Sequence, residues 1–257
     1  MFLCRHKLKR KNNKIVLQYK QHKYLVALKN IHIHGKNNIV IIKAYSKKEL
    51  FYFRNLCDKN LKLKIIGNNN KVFLDGTHFT NSYLHIRHDN NRLYIGKPVK
   101  SIDGATMYIN HGGSIIIGKE CELGNDYLLM VVTGDWVEKH KIYIGDGTHI
   151  AHGAIIRTSD GECLIDPDTK EPLSKPKDVI IGKNCWIASR CTILKGSYIA
   201  DGSVVGACSL VNKQFCEPNS LLYGVPAKHQ KSNICWTGDS YGCLMDDYVK
   251  IKHSQGK

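Results

Sequence analysis

The sequence predicts an all-β solenoid, a parallel β-helix, and three observations carry that prediction. Residues 181–216 fall into six consecutive hexads, IGKNCW, IASRCT, ILKGSY, IADGSV, VGACSL and VNKQFC, each opened by Ile or Val. The same step occurs earlier, at Ile117 and Leu123 and again at Ile144, Ile150 and Ile156. From Leu63 onward, short β-branched runs alternate with Asn and Gly corners, as in IIGNNNKVFLDG and LHIRHDNNRLYIGK, a rhythm of strands and turns. A period of six fits neither an amphipathic helix nor a plainly alternating strand. It is the signature of a parallel β-helix, in which no single repeat can bury its own apolar face.

Each hexad supplies a short strand and a corner, and three hexads close one coil. The openers Ile181, Ile187, Ile193, Ile199, Val205 and Val211 point inward, each stacking on the residue 18 positions later. The second position is mostly small (Gly182, Ala188, Leu194, Ala200, Gly206, Asn212). The fifth, Cys185, Cys191, Ser197, Ser203, Ser209 and Phe215, is small in five of six and leaves room beside the opener. Gly and Asn help the backbone turn.

The remaining elements follow in chain order. The opening cluster from Arg5 to Lys14 is basic and solvated, with peripheral contact to a membrane surface or an anionic glycan as the alternative. Ile15 to Leu28 reads as two strands. Lys47 to Leu61 places Leu50, Phe51, Phe53, Leu56, Cys57 and Leu61 at the spacing of one amphipathic helix. Residues 1–62 are therefore expected as a basic, irregular extension, 63–225 as the β-helix, and 226–257 as a C-terminal tail with Trp236 and Tyr241 as anchors. Early coils would close the open end of the stack, where bare strand edges invite pairing. Between Ile156 and Ile181 the opener interval is 25 residues instead of six, and the intervening text holds Pro167, Pro172 and Pro176 among many charges. Residues 159–178 are thus an inserted loop, and long loops in compact folds are often functional. Pro218-Asn219 and Gly224-Val225-Pro226 are turns that close the last coil.

Composition narrows the function classes. The 257 residues carry 38 Lys+Arg against 22 Asp+Glu, a formal charge of +16, which favours anionic partners. No nucleic-acid recognition motif accompanies that charge. Ten cysteines include no C-x-x-C pair. Cys121, Cys185 and Cys191 occupy inward fifth positions, where a thiol acts as a small apolar group, so free core thiols in a reducing cytosol are expected. No run approaches the length of a membrane span. The N-terminal MFLCRHKLKRKNNK lacks the apolar core of a signal peptide.

Three segments together, IRTSDGECLIDPDTKEPLSKPKDVIIGKNCWI, VVGACSLVNKQF and YGVPAK, resemble the bacterial polysaccharide O-acetyltransferases of the hexapeptide-repeat class, across about Leu63 to Lys231. That resemblance implies left-handed coils, a homotrimer, and direct transfer from acetyl-CoA to a sugar or polysaccharide, with no metal. It implies a donor groove between subunits, with Ala188, Gly206 and Ala207 along the pantetheine path and Lys213 and Lys228 toward the CoA phosphates, where fixed cations are useful. The family's base is a His in a loop pattern like S-D-x-H. Here Ser159-Asp160-Gly161-Glu162 puts Glu162 in that place, with the spacing of 24 residues to the family's Trp, Trp186, kept.

Three readings stand open. Glu162 itself takes the proton, if burial raises its pKa; another His substitutes; or catalysis is lost and a binding or assembly role remains. Among the histidines, His149 ends the hexad opened at Ile144, facing outward. If Ile144 and Ile181 open successive coils on one face, His149 lies directly under Trp186. His152 also faces outward near a corner. Ser189, three residues past Trp186, is placed to orient substrate, and the N–H groups near Ala188 or Ser189 to hold the oxyanion.

Overall fold

The computed structural model describes residues 12–26, 28, 30–55, 60–131 and 138–238. Its wall is made of three mainly parallel sheets, with a two-stranded sheet of Phe79–Thr80 and Ile102–Asp103 beside them. The first sheet has ten strands, in spatial order His22–Leu25, Lys14–Tyr19, Ile39–Ala44, Lys71–Asp75, Arg92–Ile95, Ser114–Ile117, Lys141–Ile144, Val179–Ile181, Tyr198–Ile199 and Gln214–Phe215. The second has eight, from Ile31–His34 to Leu210–Val211. The third has six, Glu122–Leu123, His149–Ile150, Trp186–Ile187, Val204–Val205, Leu221–Gly224 and Ala227–Lys231. Inward side chains form one continuous core, with Ile181, Ile187, Ile193, Ile199, Val205 and Val211 all fully buried. The 18-residue stacking holds as expected, Ile181 on Ile199, Ile187 on Val205 and Ile193 on Val211.

The ladder begins earlier than the boundary expected at residue 63. Lys14–Tyr19 pairs in parallel with Ile39–Ala44, which pairs with Lys71–Asp75, and Ile31–His34 pairs with Leu61–Ile66. The strand His22–Leu25 runs antiparallel along Lys14–Tyr19 and covers its outer edge, which would otherwise be open to pairing. The helix expected over Lys47 to Leu61 is shorter, Lys47–Arg54, with Asn55 as its C-cap, and Leu61 instead opens the strand Leu61–Ile66. Ser46 caps the helix by accepting the Glu49 N–H at 3.0 Å, and the Glu49 carboxylate accepts the Tyr45 N–H at 2.7 Å. Phe53 is its buried anchor. The expectations for Cys57 and Leu56, the basic run before Asn12, and Tyr241 lie outside the described residues.

The corners turn at the fourth hexad position, not at the second. Asn184, Arg190, Gly196, Gly202 and Cys208 have φ between 51° and 76°. The second position is small for another reason: a Cβ on Gly182 would stand 2.3 Å from the Asp201 carboxylate one coil on. Earlier corners use a different device. Asn13, Asn38, Asn70 and Asn91 are buried and linked side chain to side chain, each Nδ2 donating to the preceding Oδ1 at 2.8 to 3.0 Å. The ladder ends where Asn91 Oδ1 accepts the Gly112 N–H at 3.0 Å.

The cysteine expectation holds among the described residues: Cys121, Cys185 and Cys191 are free and buried. Burial pushes their thiols up, Cys121 to about 11 and Cys185 to about 12, so they stay protonated and inert. No helix among the described residues is long and apolar enough to cross a membrane.

Candidate active site

The third sheet brings two of the predicted residues, His149 and Trp186, together. Residues 141–150 and 179–187 run in register on successive coils, so His149 pairs with Trp186 and Ile150 with Ile187. Because side chains alternate along a strand, Ile150 and Ile187 enter the core while His149 and Trp186 project side by side from the outer surface. Glu122 occupies the same position one coil earlier. Its carboxylate lies 3.9 Å from His149 Nδ1 and also takes the Lys100 ammonium. Lys100, Glu122 and His149 thus form a chain of charge and proton-carrying groups, which sequence spacing alone did not reveal. Burial pulls the His149 pKa down, while Glu122 opposes that shift. The imidazole is therefore neutral at pH 7, the form that accepts a proton.

Trp236 covers this pair. Its indole N–H donates to the Asn184 carbonyl at 2.7 Å, and its ring meets His149 edge to face at 4.9 Å, with Trp186 at 6.1 Å. An isolated Trp beyond the last hexad was the sequence signal for this contact; which residues it would reach was not legible.

At the next corner, Ser189 Oγ stands 3.1 Å from His152 Nδ1, a second nucleophile-and-base-like pair. Ala188 and Ser189 were both expected near an oxyanion, but the Ala188 N–H donates to the Val205 carbonyl at 2.9 Å. That amide belongs to the ladder, which leaves Ser189 as the position of interest.

The inserted loop is ordered by its own contacts. Asp160 receives the Ser174 hydroxyl at 2.7 Å and the Lys195 ammonium, and these two hold its carboxyl below the usual range. The Asp166 carboxylate accepts the N–H groups of Asp168 and Thr169, both at 2.9 Å, and Ile165 bridges to Pro172. Glu162 sits on this loop fully open to solvent. Glu162 is thus not buried within the protomer, contrary to what a base on this loop would need. Leu164, Ile165 and Leu173 are exposed on the same excursion.

Of the residues expected along a donor path, Ala188 and Gly206 fall in one column, together with Gly124 and Ala151, which the sequence reading did not name. Gly124, Ala151, Ala188 and Gly206 each donate an N–H to the following coil, at 2.6 to 2.9 Å, so they stack at one corner. A Cβ on Gly206 would meet Tyr223 at 2.9 Å. Ala207 is exposed beside it. The two predicted cations are not adjacent in the ladder. Lys213 lies over the Phe215 ring at 5.3 Å, before the first sheet, whereas Lys228 pairs with Tyr223 in the hairpin of the third.

Comparison with known proteins agrees with this picture. Residues 178–213 match the family described as bacterial transferase hexapeptide (six repeats). The chain is 33% identical over 187 residues to a polysialic acid O-acetyltransferase of Neisseria meningitidis, covering 72% of this chain and 84% of that protein. A polysialic acid O-acetyltransferase of Escherichia coli O1:K1 / APEC is 33% identical over 136 residues, and that match spans 42% of its length. Two crystal structures align over most of their length. The polySia-specific acetyltransferase NeuO matches with a TM-score of 0.66 at 25% identity, over 95% of this chain and 94% of that one. The polysialic acid O-acetyltransferase OatWY matches with a TM-score of 0.67 at 30% identity, over 75% and 89%.

Proposed function

The chain belongs to the left-handed β-helix acetyltransferases of the hexapeptide-repeat class, and from that premise we propose that it moves an acetyl group from acetyl-CoA to a hydroxyl of a cell-surface polysaccharide or its sugar precursor. The observation that carries the reading is the register that sets His149 beside Trp186 with Glu122 behind it. Glu122 fixes the ring by facing Nδ1, which leaves Nε2 to take the proton of the attacking hydroxyl. The oxygen adds to the thioester carbonyl, and the resulting oxyanion collapses with loss of the CoA sulfur. The imidazolium returns its proton to that sulfur, so free CoA and an acetyl ester leave together. The column Gly124, Ala151, Ala188 and Gly206 offers an extended pantetheine arm a wall of small residues, bounded at Gly206 by Tyr223. Lys213 and Lys228 are exposed and supply cations for the phosphates. Assembly as a homotrimer, in the cytoplasm, completes the proposal: the exposed Leu164, Ile165 and Leu173 on the loop that carries Glu162 suit burial against a neighbouring subunit.

A second reading rests on Glu162, which is solvent-exposed where the family pattern carries its loop His: a groove that binds without turnover. Thiol release from acetyl-CoA with a panel of acidic and neutral glycans separates the two. His149→Ala is expected to lower kcat by roughly 10²–10⁴-fold, the usual worth of a positioned base. Activity that survives His149→Ala but vanishes in Glu162→Ala would move the base to the loop. Acetyl-CoA binding without acceptor-dependent release would favour the binding reading.

The pH profile adds a sign. A base with a depressed pKa keeps its active neutral form to lower pH than an ordinary His, near 6.5. The acidic limb of kcat/KM is expected below that value. Glu122→Gln removes the charge that opposes the depression, so the limb should move lower still; a limb that moves upward would exclude His149.

A further inference from the structure

The first sheet carries a feature that the transfer chemistry does not use. Its middle outward position is apolar or aromatic on coil after coil: Phe73, Tyr94, Ile116, Tyr143, Ile180 and Tyr198 align in one column by strand register. Phe73 and Tyr94 stack nearly parallel, 6° apart with centroids at 5.3 Å, and Tyr94 is 40% exposed. Cations flank the column on both sides. Lys71, Arg92 and Lys141 share the register position toward the second sheet, all exposed. Lys97, Lys119 and Lys183 stand exposed at the corner toward the third sheet. The nearby acids are tied to the backbone: Asp146 and Asp201 accept the main-chain N–H groups of Lys119 and Lys183 at 3.0 and 2.8 Å, and Asp178 accepts the main-chain N–H of Lys141 at 2.9 Å, faces buried His140 and lies 3.8 Å from the Lys141 ammonium.

We infer that this face is a track for a linear anionic polysaccharide, an extended part of the acceptor lying along the helix axis. This deepens the transferase reading and rests on it for the identity of the polymer. Three arguments carry it. Aromatic faces offer apolar platforms to sugar rings, while cations at both edges neutralise acidic groups. The repeat between strands is about 4.8 Å, so the outward apolar column advances at that step along a chain, with cations recurring beside it at Lys71, Arg92 and, past Ser114, Lys141. The track also meets the candidate active site: Ile180 and Trp186 lie on one coil, separated by the corner Gly182–Cys185. A second copy of this protein suits the face less well, because packing it on itself would bring Arg92 and Lys141 against like charge. The second sheet, whose outward column Thr106, Leu128, Ile155, Thr192 and Leu210 is neutral, has no such penalty.

The test compares the wild type with Arg92→Glu/Lys141→Glu and, separately, Tyr94→Ser. Binding is followed by fluorescence anisotropy with two labelled probes, long polysialic acid and a short oligomer of the same sugar. Turnover is followed with both probes as acceptors. Charge reversal is expected to weaken long-chain binding by about tenfold at low salt, and less at high salt as charges are screened. Tyr94→Ser is expected to weaken it about threefold through lost stacking. Short-oligomer turnover should stay unchanged in both. Equal effects on both probes, or none, overturn the track. A shift of either variant to a smaller oligomer on sizing also overturns it, since the face would then be an interface between copies. Were acetyl transfer absent altogether, the binding arm would still decide the track independently.

Discussion

The N-terminal coils, residues 14–117, and the C-terminal coils, 141–225, build the same wall with different sequence codes. Early strands are long, six residues each at Ile39–Ala44, Leu61–Ile66 and Ser82–Arg87. Late strands are two residues each at Trp186–Ile187, Thr192–Ile193 and Tyr198–Ile199. Early coils advance by 21 and 22 residues, from Phe73 to Tyr94 to Ile116, whereas the hexads between Ile180 and Val211 advance by 18. Early corners are held by buried asparagines that bond each other. Late corners are held by small hydroxyls and thiols that donate to the next coil's carbonyl: Thr148 to Gly182 at 2.8 Å, Ser197 to Val211 at 3.1 Å and Cys191 to Gly206 at 3.2 Å. An amide both donates and accepts, so asparagines can form a continuous chain. A hydroxyl or thiol in these corners bonds the backbone of the next coil, and Thr148 also accepts the Cys185 N–H at 3.2 Å. The early code runs side chain to side chain through successive corners; the late code ties each corner only to the backbone of the next coil and leaves the surface free to carry the site.

The strongest way to break that contrast is Asn70→Ala. Asn70 donates to Asn38 and to the His88 carbonyl, and accepts both the N–H and the side-chain amide of Asn91. Removing it leaves several buried polar groups unpaired, each worth about 1–3 kcal/mol. A loss of about 3 kcal/mol is expected in denaturant unfolding, with kcat of the remaining folded protein unchanged. Ser197→Ala at a late corner removes one bond and should cost about 1 kcal/mol. Equal losses at the two sites would sink the idea that one ladder is coupled and the other is not.

How much was legible follows the same division. The late code is strictly periodic, so the openers, the inward fifth positions and the pairing of His149 with Trp186 could be read from spacing. The early coils vary in length, so before residue 63 only the two strands within Ile15 to Leu28 were visible, not as part of the ladder, and Ile31–His34 and Ile39–Ala44 were not read at all. The site was legible where register determines it and not where a contact crosses between non-periodic parts. Trp236 reaching His149, Glu122 behind the imidazole and Lys195 holding Asp160 all depend on how a loop, a tail or a distant coil folds back. The exposure of Glu162 is of that kind as well: its motif gives its position along the chain but not its distance from the wall.

The loop supplies a smaller effect. Lys195 and Ser174 both bind Asp160, and Lys195 is mostly covered while Asp160 is substantially exposed. Lys195→Ala is expected to cost no more than about 1 kcal/mol in global stability. Its larger consequence should be faster proteolytic nicking within 161–173, because the loop loses the tie to its own coil. An unchanged nicking rate would show that Ile165 and Pro172 suffice to order the loop.

The smallest effect sharpens the comparison at single-residue scale. Late corners place a left-handed residue at the fourth hexad position from Gly147 to Cys208; Gly147, Gly153, Gly196 and Gly202 are glycine, whereas Asn184, Arg190 and Cys208 hold φ of 51° to 57° with full side chains. A non-glycine residue there costs about 1 kcal/mol, part of which glycine would return to the unfolded chain as entropy. Arg190→Gly is therefore expected to stabilise the fold by about 0.5 kcal/mol. If it destabilises instead, the Arg190 side chain, which packs over Gly153 on the preceding coil, contributes more than the strain it imposes. The late code would then need its corner side chains as well as its corner backbone, and the two halves of the wall would differ less than their sequences suggest.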